Sequence, residues 1–172
     1  WLLFLDADDV LAERALERFL SVTHNTVPDV ILAGYSRFTS SINAPQSVQL
    51  PVSSLIPKAL FSAVAPQCAW LHRRDSFLAN GGFPTDIRYG EDWEFGAQLA
   101  LSGPEVATVP EVLAYYRRHP GGQSQITDTN PQKYREFATV AARICARVAE
   151  TPEVCQRYAE GVVRMAFVHA DN

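Results

Sequence analysis

The sequence predicts an α/β domain: a mainly parallel sheet flanked by helices, followed by a C-terminal helical hairpin. Three observations carry this. Trp1-Leu2-Leu3-Phe4-Leu5 is an apolar run without polar alternation, the pattern of a strand buried on both faces. Asp29 to Phe38 is rich in β-branched and aromatic residues (Val30, Ile31, Tyr35, Phe38) and reads as a second strand. Stretches with apolar residues at helical spacing lie between and after these segments, as α/β architectures require.

The first strand runs into Asp6-Ala7-Asp8-Asp9. Residues i and i+2 of a strand share a face, so Asp6 and Asp8 are expected to converge where that strand ends. Two carboxylates about 4 Å apart repel by roughly 1 kcal/mol in water and roughly 4 kcal/mol at an effective dielectric of 20. A hard divalent cation offsets such a cost, and open α/β sheets bind ligands beyond the carboxyl ends of their strands. The cluster therefore reads as a metal site for a phosphorylated substrate, with a turn and helix cap as the plainer reading. Asp9 is expected to act as the cap.

Leu11, Ala15, Leu16, Phe19 and Leu20 predict an amphipathic helix over 10–23. Residues 39–52 read as a surface loop, and 53–64 as weakly helical around Pro57. Cys68 to His72 predicts a short strand, and 75–79 a short helix stopped by Gly81-Gly82. After a loop over 83–90, a helix is predicted from Glu91 to Leu101, closed by Gly103-Pro104. Two short strands are predicted at 106–109 and 112–117. Tyr134, Phe137, Ala138, Ala141, Ile144, Cys145 and Val148 form an apolar stripe on one further helix. Cys155, Tyr158, Ala159, Val162, Ala166 and Phe167 form another after Thr151-Pro152, completing a helical hairpin. Arg143, Arg147, Arg157 and Arg164 on this hairpin read as a solvated face, with an anionic membrane surface as the alternative.

The chain has 172 residues, enough for a sizeable core, and is 47% hydrophobic and 20% charged. A net charge of -4 argues against a broad nucleic-acid footprint. Cys68, Cys145 and Cys155 lack paired metal-ligand spacing and read as buried or indifferent thiols. The apolar start without neighbouring strands predicts a fragment of a longer domain, lacking a portion on the order of 100 residues.

Three segments then fall into a specific order: Leu5-Asp6-Ala7-Asp8-Asp9; Arg73 to Phe83 leading into Tyr89-Gly90-Glu91-Asp92-Trp93-Glu94; and Tyr115-Tyr116-Arg117-Arg118-His119-Pro120-Gly121-Gly122-Gln123-Ser124. Together they resemble the second half of a family 2 glycosyltransferase, an inverting enzyme with the Rossmann-like GT-A fold. The resemblance covers about residues 1–124 and implies a partial GT-A domain lacking its N-terminal nucleotide-binding strands. Residues 125–172 would be a helical extension without motif residues.

The resemblance implies roles at matching positions. Asp6-Ala7-Asp8 matches the D-x-D motif. Asp8 would be the direct ligand of Mn²⁺ or Mg²⁺, and Asp6 would contact the donor ribose or support the metal through water. Asp92, in the E-D pair with Glu91, would be the general base that deprotonates the acceptor hydroxyl. Two acids complementing a helix dipole would look the same in sequence. Gly82 and Phe83 match a loop beneath the donor sugar and acceptor, although a helix stop with a tight turn accounts for the glycines equally. Trp93 would stack on a sugar or simply pack. His119 matches a metal or pyrophosphate contact, and Arg117 or Arg118 would form a fork to phosphate oxygens, with a solvated basic turn as the alternative. His24, His72 and His169 have no comparable context and read as structural or exposed.

The implied reaction moves a sugar from a nucleotide-diphosphate donor to an acceptor hydroxyl on a carbohydrate, lipid-linked or other molecule. No nucleic acid is expected as a partner, and the hairpin is a candidate peripheral-membrane or oligomer contact. Sugar nucleotides are made in the cytoplasm, so a cytoplasmic location is expected, including the inner face of the cytoplasmic membrane. Two rivals remain. A haloacid-dehalogenase-type phosphatase would use Asp6 as nucleophile and Asp8 as acid/base, and would need a well-placed lysine from Lys58 or Lys133. A non-catalytic interaction domain would use the hairpin as its docking surface.

Overall fold

The structure, a computed structural model, describes residues 1–23, 26–119 and 130–170. His24, the Pro120–Ser124 end of the third segment and the expected domain boundary after residue 124 lie outside the described residues. The chain divides into two compact units interleaved in sequence. One comprises residues 1–54, 65–78 and the segment from 104 that carries the last strand. The other comprises 55–64, 79–103 and the two C-terminal helices.

The first unit is a mixed sheet with helices. Its strands are β1 (Val10–Leu11), β2 (Val30–Phe38), β3 (Ser47–Gln49), β4 (Trp70–His72) and β5 (Val106–Arg117). The spatial order is β1-β5-β2-β3, with β4 also pairing to β2. The longest ladder, β2 with β5, is parallel and runs from Val30↔Val106 to Phe38↔Arg117. The three shorter ladders are antiparallel, so the parallel character predicted for the sheet belongs to its central pair. Ile31 and Ala33, two residues apart on β2, face the same side. There they meet Ala15 and Phe19 of α1 (Ala15–Ser21), Leu71, Val109 and Leu113 in one apolar cluster. Trp70 and His72 face the opposite side of β4, where His72 meets Phe4 and Phe77 of α3 (Arg74–Ala79) at ring distances of 5.9 and 5.4 Å.

Several expectations change here. The apolar run 1–5 is not a strand buried on both faces. Leu2 makes one antiparallel bridge to His72, and Trp1 and Leu5 are 42% and 47% exposed. An apolar run becomes a buried strand only where partner strands offer donors and acceptors on both sides, and here β4 offers one position. The predicted helix over 10–23 begins only at Ala15, because Val10 and Leu11 pair with Tyr115 and Ala114. Of its predicted apolar stripe, Leu11 joins the cluster containing Ala15 and Phe19, while Leu16 and Leu20 are 54% and 41% exposed. The loop over 39–52 contains β3, which extends the sheet edge. The two strands predicted at 106–109 and 112–117 are one strand, β5, irregular between Val109 and Val112 around Pro110.

The second unit is helical. It contains α2 (Lys58–Phe61), α4 (Glu91–Leu101), α5 (Pro131–Ala149) and α6 (Pro152–Ala170). Leu60, Trp93, Ala97, Val140, Ala141, Ile144, Val148 and Val162 form its core, drawn from all four helices. Helix α5 starts with Pro131 at its first position, and the Asn130 side chain accepts from the Gln132 amide at 3.0 Å. The predicted hairpin is present as α5 and α6. Its arginines are not uniformly solvated: Arg143 pairs with Asp86 and Glu94, and Arg147 lies 3.6 Å from Glu94. None of the helices among the described residues is long and apolar enough to cross a membrane.

Candidate functional site

Residues 6–9 form a turn rather than a strand end, with the Asp9 amide donating to the Asp6 carbonyl at 3.1 Å. Asp6 and Asp8 therefore stand in a turn and not on one face of a strand end, and both are exposed. Asp9 does not cap a helix. Its Oδ1 accepts from the Arg117 amide at 2.8 Å, at the end of β5. Among the described residues β1 pairs with β5 only at Tyr115 and Ala114, and at Arg117 a carboxylate takes the place of a strand partner.

This junction brings the first and third segments into contact. His119 Nε2 donates to Asp8 Oδ2 at 2.6 Å, although the residues stand 111 apart in sequence. The hydrogen bond from His119 holds the Asp8 carboxyl below its ordinary range. Asp9 moves the other way: burial raises its carboxyl, with smaller contributions from the charges of Asp6 and Asp8. Cys68 lies beneath, hydrogen-bonded to Asp9, and burial pushes its thiol up. It is an inert buried thiol, as expected.

The arginines divide. The Arg117 guanidinium donates through Nε to the Asp8 carbonyl at 2.9 Å and through Nη1 to the Thr39 carbonyl at 3.0 Å. It lies 4.4 Å over the Phe38 ring. Two of its donor atoms are thus held by backbone, which conflicts with the expectation of an open fork for phosphate. Arg118 donates its amide to the Phe38 carbonyl at 2.7 Å and carries its guanidinium 5.9 Å over the Tyr116 ring.

Among the described residues, no group of three or more His, Cys, Asp or Glu side chains could hold a metal ion. What the turn does offer is a carboxylate and an imidazole facing each other across a single proton. Carboxylate oxygen and imidazole nitrogen are both donor types for divalent cations.

The remaining predicted residues gather in the second unit. Gly90, at φ +83°, precedes α4, and Glu91 and Asp92 occupy its first turn. Their charges complement the helix dipole there. Asp92 Oδ1 accepts from the Trp93 amide at 2.7 Å, while the rest of the side chain is half-buried. Trp93 is 5% exposed and donates through Nε1 to the Ala59 carbonyl at 3.1 Å, with Phe137 and His169 against its ring. It packs in the core, and stacking on a sugar is not open to it. Phe83 meets Phe95 edge-on at 5.3 Å. Gly81 and Gly82 both have positive φ and line an open cavity of about 450 Å³ with Asp86, Glu94, Arg143 and Arg147.

Sequence reasoning missed the supporting groups: Asp9, Phe38, Thr39 and Cys68 at the turn, and Glu94 with Arg143 and Arg147 beside the cavity. A long-range partner leaves no local trace. Only Glu94 carried a signal, as an acid on the apolar side of a predicted helix.

No family model and no curated protein matches the chain. Solved structures do match in fold. S. aureus TarS residues 1–349 in complex with UDP-GlcNAc aligns with a TM-score of 0.65 at 15% identity, over 96% of this chain and 48% of that one. The complex of the same protein with UDP aligns at 0.58 and 17%, over 87% and 40%. A structure of S. aureus TarS aligns at 0.53 and 17%, over 91% and 28%. TarS is a glycosyltransferase. The chain shares the fold of part of TarS. It spans about half the length of the first of these structures and less of the other two.

Proposed function

We propose that this chain belongs to the catalytic part of a family 2 glycosyltransferase, which moves a sugar from a nucleotide-diphosphate donor to an acceptor hydroxyl with inversion. The pairing of Asp8 with His119 carries the proposal. Two segments that the motif order assigns to one donor site, far apart in sequence, meet within hydrogen-bond distance. The fold likeness to TarS, with UDP-GlcNAc and UDP in its complexes, supports nucleotide-sugar transfer in general terms and makes UDP-GlcNAc the first donor to test.

In this reading Asp8 and His119 hold Mn²⁺ or Mg²⁺, with Asp6 beside them. When bound, the cation supplies positive charge to the departing diphosphate. Asp92 removes the proton of the acceptor hydroxyl, its position in the first turn of α4 favouring the ionised form that a base needs. Gly82 and Phe83 border the sugar-bearing region, supported by the open cavity that the glycines line. Arg118, the residue after β5, carries its guanidinium over the Tyr116 ring and is the arginine this reading assigns to phosphate. The phosphatase alternative gains nothing from the lysines. Lys58 donates to the Val64 carbonyl at 2.8 Å, and Lys133 is buried beside the Phe137 ring.

The test is sugar transfer by the protein that carries this chain, with Asp92→Asn as the variant. Transfer is expected to fall by about 10²–10⁴-fold with donor binding retained, the range for loss of a general base. Unchanged turnover in Asp92→Asn would remove the base assignment.

A further inference from the structure

We propose that Arg117 and Asp9 are positioning residues that fasten the acidic turn 6–9 to the end of β5, and that Arg117 is not a phosphate contact. The proposal rests on the donor-site reading for its consequence and on geometry alone for the clamp.

The two residues bind reciprocally. The Asp9 carboxylate takes the Arg117 amide, while the Arg117 guanidinium returns to the turn through the Asp8 carbonyl. One side chain thus ties the backbone of Asp8 to the strand whose next residues lead to His119. Its Nη1 also takes the Thr39 carbonyl, and its plane covers Phe38, so the end of β2 is drawn into the same joint. The Arg118 amide bonded to the Phe38 carbonyl completes it. Three chain segments, 8–9, 38–39 and 117–118, meet around one guanidinium.

Such an arrangement fixes where Asp8 Oδ2 stands relative to His119 Nε2 more tightly than a surface turn could by itself. Asp6-Ala7-Asp8-Asp9 is a short turn with three carboxylates, of which Asp6 and Asp8 are exposed and Asp9 is half-buried. Left alone, like-charge repulsion would favour spreading them. The fork from Arg117 places a cation beside Asp8, and its carbonyl contacts use the planar geometry that lysine lacks.

Charge and position make opposite predictions for bare Mn²⁺. Deleting a cation beside a metal site raises metal affinity if the residue acts only through charge. Deleting a positioning residue lowers it. A phosphate contact would leave bare Mn²⁺ affinity unchanged or raised, and weaken only the nucleotide.

The experiment uses the full 172-residue chain and four variants: Arg117→Gln, Arg117→Lys, Asp9→Ala and Asp9→Asn. Amide hydrogen exchange is measured first, without metal. In Arg117→Gln, Arg117→Lys and Asp9→Ala, exchange at the Asp9 and residue-117 amides is expected to rise about tenfold, the effect of one lost hydrogen bond of ordinary net strength. Core amides of β2 stay protected. Asp9→Asn keeps an oxygen acceptor for the strand amide and is expected to stay near wild type. Unchanged exchange in both Arg117 variants would overturn the clamp.

Mn²⁺ affinity, read by water-proton relaxation with and without UDP, is measured next. Both Arg117 variants are expected to lose affinity for Mn²⁺ alone, with lysine no better than glutamine. Retained Mn²⁺ binding with weakened UDP, rescued by lysine, would return Arg117 to the phosphates. If wild type shows the exchange pattern but no Mn²⁺ binding, the donor-site reading fails while the clamp stands.

Discussion

His72 shows how burial turns a single side chain into a pH-dependent stabiliser. It is 1% exposed, stacked on Trp70 at 5.5 Å and flanked by Phe4 and Phe77, with Nε2 3.0 Å from the Gln67 amide oxygen. Burial lowers its pKa from 6.5 to about 4. The folded state therefore favours the neutral ring, and the unfolded chain binds the proton more readily. The contribution is fully present above pH 6.5 and is lost as pH falls toward about 4. At full extent the shift corresponds to roughly 3 kcal/mol. Urea melts of wild type and His72→Gln should show the wild-type midpoint falling between pH 6.5 and 4, with a much flatter dependence in the variant. Parallel curves would mean that the ring is not buried as described. Trp93 teaches a related point: the sequence leaves it either stacking on a sugar or packing, and its three-dimensional neighbours make it core.

At the scale of elements, β5 decides the architecture of the candidate site. Opposite the consecutive residues Ala33 and Gly34, β5 places Val109 and Val112, leaving Pro110 and Glu111 as an insertion. Proline lacks a donor for the ladder, so the irregularity falls where its cost is smallest. The bulge then needs room on β2. A Cβ at residue 34 would stand 2.8 Å from the Glu111 carbonyl oxygen, a backbone atom that cannot swing aside. Gly34→Ala is therefore expected to destabilise the first unit by about 1–3 kcal/mol, the ordinary cost of overpacking. Chemical denaturation measures it directly, and a neutral substitution would show that β5 can shift. Beyond the bulge, β5 pairs with β1 and delivers Arg117 and His119 to the turn.

At the scale of the molecule, the legible parts were those with local causes. Helix α4 was readable to the residue because Gly90 and Gly103-Pro104 punctuate it, and β2 because Val30, Ile31, Tyr35 and Phe38 give it β-branched and aromatic character. The helical hairpin was readable from its apolar stripes. The failures share one cause, pairing between distant segments. Residues 10–11 were written into a helix because the edge of β5 that captures them lies a hundred residues away. The sequence leaves Arg117 and Arg118 equal as phosphate contacts, because the Asp8 and Thr39 carbonyls that hold Arg117 lie on other segments and carry no sequence signature. The motif order located the candidate residues; it said nothing about which of them support the others.

The claim that the acidic turn and His119 form a donor-metal site can be tested by paramagnetic broadening. Amide spectra of the 172-residue chain are recorded while Mn²⁺ is added at low occupancy in the presence of UDP, a condition that detects even weak binding. Signals from residues 6–9 and 118–119 are expected to vanish first, with Asp8→Asn removing the effect. Broadening that begins instead at unrelated acids such as Asp29 or Glu111, or that survives Asp8→Asn, would contradict the assignment.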